Sequence, residues 1–357
     1  MDAKLQCHIL FSFRDGPWGG CNQFLTALRE ELRASGNWAE SPGTADVILI
    51  DSFNDARDAI RWKRRLPAIP FVHRVDGPIS IYRGGDLYVD RLIHAIGSRI
   101  AEGVVFQSRY SMEANLSLGM PHPRFSCVVN NAAHQKHFWP RRSASNDGRI
   151  RLIAVSWSSH WNKGFDVYSY LDRHLDFSRY SMTFVGNSPV TFSNIRHIPP
   201  QDLPALGELL RESDIYVTAS RHESCSNSLL EALACGLPAV AVRSGGNPEV
   251  VGLGGELFSG TDDVITCVAA VAENLEKYRA AIPVRNISDV AKAYLSFFED
   301  VYMRARPPRT LTPGGVLALL WKLALRRGWT LRDRLAQLLN RDHLGSSIRN
   351  TGQHGPD

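Results

Sequence analysis

Two carboxylates eight positions apart, Glu223 and Glu231, sit in the segment Ser220-Arg221-His222-Glu223-Ser224-Cys225-Ser226-Asn227-Ser228-Leu229-Leu230-Glu231. The apolar run Ile215–Ala219 before it reads as a buried strand, and Gly236 ends the helical stretch after it. Glu223 then leaves the sheet on a loop, while Glu231 lies in the first turns of a helix. An ionised carboxylate accepts two hydroxyl hydrogen bonds at once, and neighbouring hydroxyls of a ribose or pyranose present such a pair. Around Ser226, Asn227 and Ser228 the helix start offers unpaired N–H groups and a partial positive charge, which suit a pyrophosphate. Ser228-Leu229-Leu230-Glu231 also fits a capping box, in which Glu231 only bonds backbone. From the residues alone both readings stand.

Carboxylates so placed need a sheet behind them. Cys7–Phe13 is apolar, Gly16-Pro17-Trp18-Gly19-Gly20 follows, and Asn22–Leu32 is amphipathic: strand, loop, helix. Val47–Ile50, Ile69–His73, Gly103–Gln107 and Ser126–Asn130 are further strand candidates. The polar stretch Arg141–Gly148 reads as a linker, after which Arg151–Ser156, Ser181–Val185, Ile215–Ala219 and Ala239–Val242 resume the alternation. This predicts an α/β chain of two Rossmann-like doubly wound domains, 1–142 and 149–287, facing across a cleft. Val290, Ala293, Tyr294, Phe297, Phe298 and Val301 recur at helical spacing, so 288–304 is expected as an amphipathic helix, followed by a basic extension, 305–357.

The 357 residues exceed one comfortable core, and 44% hydrophobic with 22% charged residues describe an ordinary globular chain. The six cysteines are dispersed without a C-x-x-C pair, which argues against a zinc site or disulfide framework. Residues Met1–Gln6 lack the features of a secretory signal, and a cytoplasmic location is expected. From Arg304 onward ten Lys/Arg face three acids, a balance of +7 that leaves −2 of the total +5 for the rest. Val316, Leu319, Leu320 and Leu323 form an apolar stripe there, with Trp321 and Trp329 as interfacial anchors and Lys322, Arg326, Arg327, Arg332 and Arg334 as charges. This predicts contact with an anionic membrane surface, against the alternative of a helix packed on the protein's own body. No nucleic-acid reader motif is present, so nucleic acid is not expected as a partner.

Glu223 and Glu231 in strand–loop–helix, followed by Ala-Cys-Gly-Leu-Pro, resemble the E-x7-E signature of family-four (group 1) retaining glycosyltransferases of the GT-B fold. Ser244-Gly245-Gly246-Asn247-Pro248-Glu249-Val250-Val251 is similar to that family's G-G-x-P-E-x-V element, and Asn130-Asn131-Ala132 with Phe138-Trp139-Pro140 to its hinge element. The resemblance implies transfer of a hexose from a nucleotide-sugar donor to a glycan or lipid-linked acceptor, with no bound cofactor. It implies that Glu223 binds sugar hydroxyls, Glu231 the ribose, and Lys163 the diphosphate. It also implies that His73 contacts the transferred sugar with Asp76 beside it, that Gly19 and Gly20 approach the phosphates, and that helix 288–304 crosses back onto the first domain. The family's phosphate-binding Arg is missing; Ser158 or His160 stands near its place, and Arg221 is a candidate substitute. For Gly245 and Gly246 the plain reading is a strand-to-helix turn, with Asn247 as N-cap. No D-x-D motif occurs, so no metal is expected. A GT-B epimerase or phosphorylase, or a non-catalytic nucleotide-sugar-binding protein, would use the same scaffold.

Overall fold

The computed structural model describes residues 4–16, 19–85, 87–141, 147–283 and 285–326. Strands β1 (Cys7–Leu10), β2 (Val47–Asp51), β3 (Phe71–Val75), β4 (Gly103–Phe106) and β5 (Phe125–Val128) form one parallel sheet in that order. On the outer side of β1, Trp38 makes a one-residue parallel bridge to Cys7. Its neighbours seal it: the Cys7 N–H donates to the Asn37 carbonyl at 2.8 Å, and the Ala39 N–H to the Cys7 carbonyl at 2.9 Å. The chain therefore runs outward from β1 through helix Gly20–Ala34, touches the sheet at Trp38, and returns to β2 on the other side. Right-handed crossovers in opposite directions put their helices on opposite faces. Phe24 and Leu28 pack on Cys7, Ile9, Val47 and Leu49, whereas Ala59, Ile60, Leu92 and Ile96 pack on Ile48 and Ile50.

The second parallel sheet comprises β6 (Ile150–Ser156), β7 (Tyr180–Gly186), β8 (Arg196–Ile198), β9 (Ile215–Thr218), β10 (Ala239–Val242) and β11 (Gly255–Phe258). Its order is β11-β10-β9-β6-β7-β8, reversing between β6 and β9. Open α/β sheets bind ligands beyond the strand ends at such a reversal. The expected pair of doubly wound sheets is thus present. Strands β8 and β11 are the ones the sequence pattern does not predict; they are three and four residues long at the sheet's two edges, and neither carries a continuous apolar run.

Helix Ile287–Arg304 crosses back as expected. Val290, Tyr294, Phe298 and Val301 bury against Phe24 and Leu28 of the first domain, and the Asn286 side chain caps its start by accepting from the Asp289 N–H at 2.7 Å. The chain then wraps to the opposite face. Leu311, Leu319 and Leu323 join the cluster around Ile48 and Ile50, and residues 313–326 are helical. Glu102 fastens this extension: its carboxylate accepts from Lys63 at 2.8 Å and from the backbone N–H groups of Phe71 and Arg309, each at 2.6 Å. The Lys63–Glu102 pair is fully buried, and this satisfaction of the carboxylate offsets its desolvation. The apolar stripe assigned to a membrane is therefore divided. Leu319 and Leu323 are spent on the protein's own body, and the outward face is Leu317, Leu320 and Trp321. Among the described residues no helix is long and apolar enough to cross a membrane. Arg327, Trp329, Arg332 and Arg334 lie outside the described residues, as do Pro17, Trp18 and linker residues 142–146.

Candidate functional site

The loops leaving β1, β3, β6 and β9 enclose a cleft of about 350 Å³. Gly19, Gly20, Asp76 and Tyr82 line it from the first domain, and Lys163, Glu223, Ser226, Asn227, Ser228 and Glu231 from the second.

Helix Asn227–Ala234 begins in this cleft with Ser226 as N-cap and no side-chain cap, so the capping box does not form. Glu231 is instead turned to the cleft wall. It is 8% exposed, and its carboxylate takes no hydrogen bond from any described residue. Burial raises its pKa to about 8. Facing that helix start is another: Gly20 opens helix Gly20–Ala34, likewise without a side-chain cap. A Cβ at Gly20 would run into the Asn227 amide, so glycine is what allows the two helix starts to meet. Two positive helix ends in contact repel unless an anion lies between them.

Lys163 and Glu223 form an ion pair at the strand reversal. Burial works against the Lys163 ammonium, but Glu223 and Tyr82 outweigh it and hold its pKa above the usual lysine range. Tyr82 comes from the short helix Ile79–Arg83 of the first domain; its ring centroid lies 5.5 Å from Lys163 Nζ and stacks on His160 at 5.9 Å. Asn162 Nδ2 donates to the Tyr82 carbonyl at 2.6 Å. Nothing in the sequence pattern marks Tyr82, because its role depends on the docking of a loop from the other domain.

A polar relay joins the domains behind the cleft. Buried Arg74 donates to Asp51 at 2.6 Å and to Asn131 Oδ1 at 2.9 Å, and Asn131 Nδ2 donates to Asn227 Oδ1 at 2.9 Å. Asp76 lies 3.3 Å from Arg74. Desolvation, with Asp51 and Glu223 near, raises the Asp76 pKa to about 7 despite Arg74. Glu249, in the short helix Asn247–Val251 that follows the glycine turn after β10, accepts from the Arg109 N–H at 2.9 Å and from Asn130 Nδ2 at 3.0 Å.

Four expectations need correction. His73 does not reach the cleft: β3 continues to Val75, so His73 is mid-strand and fully buried, and alternation sends Arg74 to the cleft side. Its Nε2 bonds the Ser52 carbonyl at 2.7 Å, and burial lowers its pKa to about 4. Arg221 is held in a two-pronged pair by Asp166, at 3.0 and 2.6 Å, and does not line the cleft. Gly245 and Gly246 do not line it either; a Cβ on either would strike the backbone of the Glu223–Ser224 loop, which this turn braces. Asn247 is the first helical residue rather than the cap, and its Nδ2 donates to the Ser220 carbonyl at 3.0 Å. His160 caps the turn Trp161–Lys163 and stacks on Tyr82. Ser228 Oγ accepts from the Tyr216 hydroxyl at 2.9 Å.

Residues 181–277 match the family described as Glycosyl transferases group 1. A D-inositol 3-phosphate glycosyltransferase of Geodermatophilus obscurus is 30% identical over 141 residues, 36% of this chain and 31% of that protein. The chain thus aligns with about a third of that curated relative. Among solved structures, Anabaena HepE in complex with UDP-glucose superposes with a TM-score of 0.58 at 13% identity, covering 90% of this chain and 100% of that one. Sucrose-phosphate synthase from Thermosynechococcus elongatus does so with a TM-score of 0.59 at 14% identity, covering 93% and 100%. At such identities the superpositions speak to the fold.

Proposed function

We propose that this chain, a group 1 glycosyl transferase of the GT-B fold, moves a hexose from a nucleotide sugar to a glycan or lipid-linked hydroxyl with retention of anomeric configuration. The observation that carries this reading is Glu231, a buried carboxylate without a hydrogen-bond partner among the described residues, beside two helix starts without side-chain caps. Such a group is suited to hydroxyl donors, and such helix ends are suited to an anion. A nucleotide sugar supplies both at this separation of roles: ribose hydroxyls on Glu231, the diphosphate on Lys163 and the helix starts at Gly20 and Asn227, sugar hydroxyls on Glu223. The sugar C1–O bond to the β-phosphate breaks, the acceptor oxygen bonds C1 on the same face, and the acceptor proton passes to the leaving phosphate oxygen. A closed cleft keeps water from that position. Anabaena HepE, whose fold this chain shares, is seen with UDP-glucose, which supports a nucleotide-sugar donor.

In this reading Lys163 and the helix ends neutralise the diphosphate without a metal. The test is incubation with UDP-, GDP- and ADP-hexoses and a panel of glycan and polyprenyl-phosphate acceptors, in EDTA, with the product anomer read by NMR. An α-linked product from an α-linked donor is expected. Turnover of donor without acceptor would favour an epimerase or phosphorylase, and tight binding without transfer a sensor. Activity lost in EDTA and restored by Mn²⁺ or Mg²⁺ would overturn the metal-independent reading.

A specific surface supports attachment to the cytoplasmic face of an anionic membrane. On helix 313–326, Leu317 and Trp321 are 71% and 65% exposed, with Leu320 between them and Lys322 adjacent. An apolar outward face beside basic residues lies in a lipid interface rather than across it.

A further inference from the structure

The loop Trp157–Lys163 offers one cation to a diphosphate, Lys163, and that cation is shared with Glu223. A sugar diphosphate brings two negative charges into the same cleft. Of the other cations lining it, Arg74 is buried and divided among Asp51, Asp76 and Asn131. Arg83 is different. It lines the cleft from the first domain, it is exposed, and among the described residues its guanidinium takes no hydrogen-bond or ion-pair partner.

Its position is nevertheless built. Arg83 ends the helix Ile79–Arg83, whose start is held by Asp90, accepting from the N–H groups of Ile79 at 2.7 Å and Ser80 at 3.0 Å. The residue before it, Tyr82, is fastened to the Lys163 loop at both ends, through its carbonyl to Asn162 and its ring to His160 and Lys163. Arg83 is therefore carried on a fixed support, one residue from the loop in which a second phosphate-binding cation is lacking. A guanidinium with its forked donors free is suited to phosphate oxygens in a way that the hydroxyl of Ser158 or the imidazole of His160 is not.

We propose that Arg83 supplies, from the first domain, the second cation that binds the donor diphosphate. This rests on the nucleotide-sugar reading above and extends it. The diphosphate is then gripped from both domains, by Arg83 on one side and Lys163 with the Asn227 helix start on the other.

The experiment is calorimetric titration of the full chain, wild type and the variants R83A and R83K, with UDP, GDP and ADP and with the corresponding nucleosides. With whichever diphosphate the wild type binds, R83A should lose about tenfold in affinity, R83K should recover part of it, and nucleoside affinity should not move. R83A binding the diphosphate as tightly as wild type, or losing diphosphate and nucleoside affinity in equal proportion, would overturn the assignment. A wild-type chain that binds none of the three diphosphates would overturn the nucleotide-sugar reading itself, a result distinct from a silent Arg83.

Discussion

Lys163 and Glu223, sixty positions apart, close an ion pair where the second sheet reverses its strand order. The pair neutralises itself while the cleft is empty, and donor must share both members. We expect Lys163→Ala, Glu223→Ala and Glu231→Ala each to keep the fold and lose about ten- to a hundredfold in transfer rate. The Lys163→Ala/Glu223→Ala double variant should fall less than the product of the two single losses, because each single change already strands the other's charge. Initial rates and melting curves on all four decide it; wild-type rates in the single variants would remove these residues from the site.

Glu231 ties nucleotide binding to pH. Its pKa is raised by burial from 4.5 to about 8, so the empty fold favours the neutral carboxyl. The stability this contributes is complete below about pH 4.5 and is lost as pH rises through 8. Glu231→Gln, always neutral, should melt with wild type at pH 4.5 and above it at pH 9. Ribose hydroxyls favour the ionised form, so nucleotide binding near pH 7 should release a proton, seen as a buffer-dependent heat that Glu231→Gln abolishes. Identical melting at both pH values and no proton release would show that Glu231 does not face ligand.

His73 should matter for stability and not for chemistry. Its replacement leaves the buried Ser52 carbonyl without a partner, a loss of about 1 to 3 kcal/mol. Denaturant titration of His73→Leu, which has no donor for that carbonyl, should show that loss while the rate constant per folded molecule stays at wild type. A hundredfold drop in rate with unchanged stability would return His73 to the catalytic set.

Attachment to anionic lipid should depend on the outer face of helix 313–326. The triple variant Leu317→Ser, Leu320→Ser, Trp321→Ser leaves Leu319 and Leu323 in place, so it should fold as wild type yet sediment less with anionic liposomes at low salt. Equal sedimentation of the two chains would discard that surface.

The alternation of buried strands made both sheets legible in the sequence, and it failed where geometry does not depend on apolar runs. Trp38 joins the first sheet through a single bridge, too short for any periodicity. At β3 the sequence suggests a strand ending at His73, but Arg74 continues it because Asp51 and Asn131 satisfy its charge inside the protein. Two residues of extra strand turned the expected sugar contact into a core histidine. Glu223 and Glu231 were legible because their spacing from a strand end is local, and Lys163 because its loop resembles the family's. Tyr82 and Arg83 were not, since what they do is set by a loop eighty positions away.

Glu102 has a consequence for how the chain assembles. One of its three partners, the Arg309 N–H, belongs to the segment that also buries Leu311, Leu319 and Leu323 against the first sheet, and helix Ile287–Arg304 covers that sheet's other face. Along the chain the second domain is a guest set in a host whose two segments bracket it. During synthesis the guest has its whole core once Ile282 has emerged, while the host still lacks coverings for both faces. The first domain is completed after the second, with Ile48 and Ile50 on one side and Ile9 and Leu49 on the other waiting for residues 287–323.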